Sequence, residues 1–233
     1  MDFRQKHVVV TGGTGALGTA VVGQLLDLGA TVHIPVFNAE EGERFVHKDH
    51  GNVHLVADID LTDEALVEGF YQGVPGLWGS VHIAGGFDMS LVAETSAAQF
   101  DKQMSMNAKT CFLCAREAVK SIRKAEGIGR IVNIAARPGV SPREGAGMVA
   151  YAASKAAVAA LSEAMGEELA PEGIFVNAVA PSILDTPANR SAMPDADHAS
   201  WPKVEEVAAT IIHLASPANG AARSAVVPVY GRV

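Results

Sequence analysis

Tyr151-Ala152-Ala153-Ser154-Lys155 sets a phenol and an ammonium four residues apart in an alanine-rich run. In a helix that spacing puts both side chains on one face. A neighbouring ammonium favours the phenolate, so the pair is expected to lower the tyrosine pKa toward the range useful for proton transfer. A Tyr and a Lys at this spacing also occur on ordinary solvated helices. The rest of the chain has to decide between the two readings.

A second stretch with chemistry lies near the N-terminus, in Thr11-Gly12-Gly13-Thr14-Gly15-Ala16-Leu17-Gly18. Glycines permit positive φ and close backbone approach. A helix starting there offers free N–H groups and a positive dipole end to a pyrophosphate. The required context is a strand before the turn and a helix after it. Residues 7–10 read as that strand and 16–28 as that helix. Gly12, Thr14, Gly15, Ala16, Leu17 and Gly18 are therefore candidate dinucleotide contacts. An acid at the end of the second strand holds the adenosine ribose hydroxyls of NAD, and an arginine takes the 2′-phosphate of NADP. Pro35-Val36-Phe37-Asn38 supplies neither, so nothing there repels a phosphate, and Arg44 follows. The expectation favours NADP and leaves NAD open. Arg44 reads equally well as a surface arginine.

The elements that must position these groups alternate along the chain. Strand patterns fall at 31–36, 53–57, 79–84, 129–135, 174–179 and 225–229, and helical patterns at 63–72, 96–124, 151–170 and 203–215. Alternation of this kind predicts an α/β fold, a Rossmann-type doubly wound parallel sheet with helices on both faces. Residues 1–233 read as one domain. The stretch 181–202, rich in Pro, Ser, Ala and Asp, follows a strand and is a candidate substrate loop.

Composition narrows the partners. The chain is 48% hydrophobic and 19% charged, with a net charge of −8. It reads as globular, and the acidic balance argues against broad nucleic-acid or anionic-membrane binding. Cys111 and Cys114 are the two cysteines. Their C-x-x-C lies inside a helical pattern, which favours buried, inert thiols over a redox motif. The eight histidines are scattered without metal-ligand spacing, so no metal is expected. Met1-Asp2-Phe3-Arg4-Gln5-Lys6 leads straight into a strand. No signal peptide or membrane span is predicted, and a cytoplasmic location is the expectation.

The glycine turn and the Tyr151/Lys155 pair in one α/β chain resemble the short-chain dehydrogenase/reductase family over essentially the whole length. Other family marks fall in order. Asp60-Leu61-Thr62-Asp63 resembles the segment that touches the adenine. His82-Ile83-Ala84-Gly85 stands where the family has Asn-Asn-Ala-Gly beside the cofactor, which brings in Ala84, Gly85 and Gly86. Asn107 occupies the place of the family's helical asparagine. Asn177-Ala178-Val179-Ala180-Pro181-Ser182 matches the strand and turn near the nicotinamide, with Ser182 for the usual glycine. Thr186 fits the threonine that contacts the carboxamide, and residues 225–231 resemble the closing strand and glycine. The resemblance implies hydride transfer with an NADP or NAD cofactor. Tyr151 would be the acid/base. Lys155 would tune it and hold the nicotinamide ribose, and Asn107 would keep a water in the proton relay. Asn38 is a further candidate cofactor contact. A homodimer or homotetramer is also implied, in line with the apolar residues nearly all round the helix 151–170.

The spacing Gly12-x-x-Gly15-x-x-Gly18, the run Gly147-Met148-Val149-Ala150-Tyr151 and the loop from Leu184 to Trp201 are similar to the dihydropteridine reductase branch. One family residue is missing. A serine usually follows the fifth strand and polarises the substrate carbonyl, whereas this chain reads Val132-Asn133-Ile134-Ala135-Ala136-Arg137. Loss of one such donor costs roughly 3 kcal/mol of transition-state stabilisation. Either the substrate is already activated, as a quinonoid dihydropterin or a quinone is, or Ser141 folds back to replace the serine. The rival functions are a general ketone/alcohol dehydrogenase of the same family and a dinucleotide-sensing protein without turnover. His82, Arg137, Asp185, Asp197 and Trp201 each carry two readings, one near the site and one structural.

Overall fold

The computed structural model describes residues 1–125 and 127–233. In chain order the main elements are β1 His7–Thr11, α1 Ala16–Asp27, β2 Thr31–Pro35, α2 Ala39–Glu43, β3 Val53–Val56, α3 Glu64–Gln72 and β4 Leu77–His82. There follow α4 Ala97–Gln103, a π-helical segment Met104–Lys109, α5 Thr110–Lys124, β5 Gly129–Ile134 and α6 Arg137–Val140. The chain closes with α7 Val149–Leu169, β6 Ile174–Pro181, α8 Pro187–Ala192, α9 Val204–Ala215 and β7 Val226–Val229.

Among the described residues the strands form one seven-stranded sheet in the order β3-β2-β1-β4-β5-β6-β7, with every neighbouring pair parallel. The order reverses between β1 and β4. In open α/β sheets the crevice at such a reversal, beyond the carboxyl ends of the strands, receives ligands. Side chains alternate across the sheet. Val8 and Val10 pack with Leu17, Val21, Leu25, Val207 and Ile211 from α1 and α9. Val9 packs with Val67, Phe70, Leu113, Ile122 and Leu169 from α3, α5 and α7. Every residue of β4 and β5 is buried, as strands covered on both faces must be.

Three differences from the sequence reading matter. The helix expected as continuous over 96–124 widens to π geometry between α4 and α5. The Asn107 side-chain amide donates to the Gln103 carbonyl at 3.2 Å, and Thr110 Oγ1 donates to the Met106 carbonyl at 2.9 Å. Side chains that take ladder carbonyls loosen the α register. The fourth strand lies two residues earlier than expected, which frees Ile83–Ala84 to cross the crevice. The stretch 181–202 is also more ordered than its composition suggests. It contains α8, its Asp185 N–H donates to Pro202 O at 3.0 Å, and Trp201 is buried.

A histidine ladder runs across three strands. His7 Nδ1 lies 2.9 Å from His33 Nε2, and the His33 ring stacks on His54 with centroids 4.8 Å apart. Burial, then the neighbouring His54 and His7, lowers the His33 pKa to about 4. The fold thus favours neutral His33. That contribution is fully present above the unfolded value of 6.5 and is lost as pH falls toward 4. Discounted for partial solvent access, it is worth about 1–2 kcal/mol. Urea unfolding across that window is expected to show the wild type losing that much more stability than His33→Phe. Equal losses in the two proteins would contradict the assignment.

Candidate active site

α7 begins beside the carboxyl end of β5, and its first turns carry Tyr151, Ser154 and Lys155. Lys155 is 6% exposed, and its Nζ donates to the Ile134 carbonyl, the last of β5, at 2.7 Å. Gly139 of α6 makes this approach possible, since a Cβ there would lie 2.6 Å from the Lys155 backbone carbonyl carbon. Burial lowers the Lys155 pKa to about 8, with the nearby Cys111 opposing. Tyr151 packs edge-on to Phe87, centroids 4.9 Å apart, and burial pushes its phenol up to about 12. The sequence predicted the opposite shift for Tyr151. The ammonium that was to lower it is committed to the Ile134 carbonyl, so desolvation of the phenol dominates. The result is a phenol that holds its proton at neutral pH.

Asn107 sits in the π-helical segment and is 1% exposed. Its Oδ1 accepts from Gly86 N–H at 3.0 Å. Its Nδ2 donates to Gly86 O at 2.9 Å and to Ser154 Oγ at 3.1 Å, with Gln103 O also in reach. Ser154 Oγ in turn donates to the Tyr151 carbonyl at 2.8 Å. The Asn107 side chain is therefore spent on protein and clamps the Gly85–Gly86 crossing to the first turn of α7. Gln103 and Ser154 complete this clamp. Sequence reasoning passed over them because a Gln four residues before an Asn, or a Ser inside Tyr-x-x-Ser-Lys, carries no signal until the helices are crossed.

The glycine turn has the backbone shape that a dinucleotide needs. Gly12 has φ +66°, and a Cβ there would stand 2.8 Å from Ala84 N. A Cβ at Gly18 would collide with the Gly12 carbonyl. A Cβ at Gly15 would meet only the Gly12 carbonyl, at an ordinary 3.5 Å, and α1 starts there without any side-chain cap. Uncapped N–H groups of Ala16, Leu17 and Gly18 at a positive helix end suit a pyrophosphate. Ala84 N–H is held by Thr11, which sets the floor of the crevice.

On the adenosine side Thr14 Oγ1 donates to a carboxylate oxygen of Glu41, and Phe37 N–H donates to the other at 3.3 Å. The sequence reading found no acid here because it stopped at the strand end. The legible signal was Asn38-Ala39-Glu40-Glu41, a helix-start pattern. Asn38 caps α2 by accepting from Glu41 N–H at 3.0 Å, and this aims the Glu41 side chain back at the strand. Arg44 turns away, donating to the Glu40 carbonyl of its own helix. Asp60 accepts from Thr62 N–H and Oγ1, so its side chain closes a turn after β3.

At the other end Pro181 closes β6. Ser182 Oγ donates to Tyr230 O at 2.9 Å, and Thr186 caps α8 by accepting from Asn189 N–H. Asp185 pairs with Arg190 at 2.6 Å and Asp197 caps a short 3₁₀ turn. Arg137 pairs with Glu144 at 2.8 Å. These three follow their structural readings, as does buried Trp201. His82 is buried too. Its Nδ1 meets Asn133 Oδ1 at 2.7 Å and its Nε2 meets Ser80 Oγ at 2.8 Å. Since Asn133 Nδ2 donates to Ser162, Oδ1 must accept, so Nδ1 carries the His82 proton. Burial lowers the His82 pKa to about 4, which keeps it neutral. Ala136 lies just past β5 with no hydroxyl to offer, and Ser141 lies beyond α6, its N–H bonded to Arg137 O. Among the described residues no cluster of His, Cys, Asp or Glu has metal-binding geometry, and no helix is long and apolar enough to cross a membrane.

The chain is similar to known proteins in sequence and in fold. The sequence pattern described as short chain dehydrogenase matches residues 6–197. The (2S)-[(R)-hydroxy(phenyl)methyl]succinyl-CoA dehydrogenase subunit BbsD of Thauera aromatica is 31% identical over 193 residues, which span 80% of this chain and 76% of that one. Cyclopentanol dehydrogenase of Comamonas testosteroni is 32% identical over 195 residues, covering 81% and 76%. The solved structure of ElxO with NADP bound superposes with a TM-score of 0.88 at 27% identity, over 97% of each chain. A short-chain type dehydrogenase/reductase from Mycobacterium ulcerans shares the fold, with a TM-score of 0.90 at 22% identity. With its reversed-order parallel sheet, its glycine cradle, half-buried Tyr151 and buried Lys155, the chain belongs to the short-chain dehydrogenase family of oxidoreductases.

Proposed function

We propose that this protein is an NAD(P)H-dependent reductase that delivers a proton from Tyr151 to a substrate already activated toward hydride. The observation that carries this reading is the pairing of a proton-holding Tyr151 with alanine at position 136. The bound nicotinamide would supply the hydride. Gly12, Thr14, Gly15, Ala16, Leu17 and Gly18 would cradle the pyrophosphate. Asn38 and Asp60 would flank the adenosine. Ala84, Gly85 and Gly86 would floor the crevice, and Pro181, Ser182 and Thr186 would border the nicotinamide. Lys155, cationic below about pH 8, would donate to the nicotinamide ribose and favour the phenolate left after proton transfer. Asn107 would hold the Gly85–Gly86 crossing in register with Tyr151.

With no hydroxyl at Ala136 to polarise a carbonyl, the site suits a substrate that needs little polarisation, such as a quinonoid dihydropterin or a quinone. Phe87, edge-on to Tyr151, and Met89, two residues further on, are both more than half exposed and would give the mouth a flat, polarisable lining that fits a conjugated ring. Ser141 supports the alternative poorly, because a turn of α6 separates it from the strand end. A general alcohol dehydrogenase is the second reading, favoured by the similarity to cyclopentanol dehydrogenase. A homodimer or homotetramer completes the proposal. Ala153, Ala160 and Ala164 of α7 and Phe112 of α5 leave apolar surface for a second copy to cover.

Oxidation of NADH and NADPH against quinonoid dihydropterin, quinones and simple ketones tests the substrate class. Turnover of the conjugated acceptors is expected, and robust turnover of unactivated ketones would sink the reading. Tyr151→Phe is expected to lose about 10²–10⁴-fold in kcat; an unchanged rate would remove the proton-donor role. Because the Lys155 pKa is lowered to about 8, its charge is present below that pH and lost above it. Binding of the reduced dinucleotide is expected to weaken as pH rises through about 8, and Lys155→Met should bind weakly with no such break. Light scattering at micromolar concentration is expected to give at least twice the chain mass, and a monomer would contradict the assembly.

A further inference from the structure

The geometry points to Glu41 as the residue that selects the dinucleotide, favouring NAD(H) over NADP(H). This inference rests on the nicotinamide reading above and deepens it. Thr14 lies in the glycine turn after β1, and Phe37 follows the end of β2. Glu41 accepts a hydrogen bond from each, through a different carboxylate oxygen. Its carboxylate therefore spans the crevice between the glycine turn and the second strand. In doubly wound dinucleotide folds the adenosine ribose lies there. The adjoining turn is packed tightly on β2, since a Cβ at Gly13 would stand 2.9 Å from Ile34.

The position of Glu41 is built, not incidental. Asn38 fixes its backbone by accepting from Glu41 N–H at 3.0 Å. Glu41 is half-buried, while Glu40 and Glu43 on the same short helix are exposed. Among the described residues its carboxylate forms no ion pair, and Arg44, the nearest basic side chain in sequence, bonds to the Glu40 carbonyl instead.

The chemistry follows from these partners. The carboxylate already accepts a hydrogen bond from the Thr14 hydroxyl, so a ribose 2′-hydroxyl can donate to it in the same way. A 2′-phosphate carries a further charge of about −1.5 to −2 and offers only acceptors at neutral pH. It would face Glu41 as a like charge, and moving Glu41 aside would break the bonds from Thr14 and Phe37. The sequence expectation of NADP rested on the want of an acid at the strand end. The chain supplies one from the first turn of the next helix.

Fluorescence titration or calorimetry of NADH and NADPH binding tests this without turnover. The wild type is expected to bind NADH roughly tenfold or more tighter than NADPH. Glu41→Gln, with its fold checked by circular dichroism, should shrink that ratio at least about tenfold, mainly by tightening NADPH. Should Glu41→Gln fail to fold, the wild type alone decides, because added salt must tighten NADPH relative to NADH by screening the repulsion. Equal or tighter NADPH binding by the wild type, or an unchanged ratio in Glu41→Gln, would overturn the inference. Binding of neither dinucleotide would instead remove the nicotinamide reading and this inference with it.

Discussion

A buried ammonium organises this molecule. Lys155 is taken out of water at the carboxyl end of β5 and compensated by one strong donor contact, to the Ile134 carbonyl at 2.7 Å. Desolvating a charge is costly unless the surroundings hold it well. The neighbourhood of Lys155 is arranged accordingly. α6 crosses at Gly139, where a side chain would strike the Lys155 backbone. The buried β5 brings its final carbonyl to the ammonium, and α5 packs its uncharged Cys111 nearby. The lowered Lys155 pKa is the residue of the cost that this arrangement leaves in place.

The second constraint is the Asn107 clamp. One amide links three segments that are distant in sequence: the Gly86 crossing after β4, the π-helical segment, and the first turn of α7. The π geometry and the clamp have a common cause, since the amide that reaches Gly86 also takes the Gln103 carbonyl. Local widening of helices is frequent at functional sites. Here it lets a buried polar side chain face the crevice while α5 continues into the core. A separate buried chain, Ser80 to His82 to Asn133 to Ser162, ties β4, β5 and α7 together behind the site. The substrate side is thus held by polar contacts of fixed geometry, whereas the rim at Phe87 and Met89 is apolar and exposed.

The sheet and its order of elements were legible because strands covered on both faces read as short apolar runs between helical patterns. The Tyr151/Lys155 spacing and the glycine turn were legible for the same reason: helix and turn geometry are local. What depends on a third segment was not. The sign of the Tyr151 shift turns on where the Lys155 ammonium goes, and that is decided by Ile134. Glu41 escaped because its approach to Thr14 requires α2 to fold back on the end of β2. The π widening depends on Gln103 and Asn107 sharing partners across the helix crossing. The ordering of 181–202 comes from Pro202 and the C-terminal tail, where Arg232 N–H donates to Ser200 O at 2.8 Å.

The account turns on Lys155 being a desolvated ammonium whose charge is available just below neutral-to-alkaline pH. NMR titration of ¹³Cε-labelled lysine, with the Lys155 resonance assigned by its loss in Lys155→Met, measures that directly. The account predicts a midpoint of about 8 in the folded protein. A midpoint at the ordinary 10.5 would contradict it.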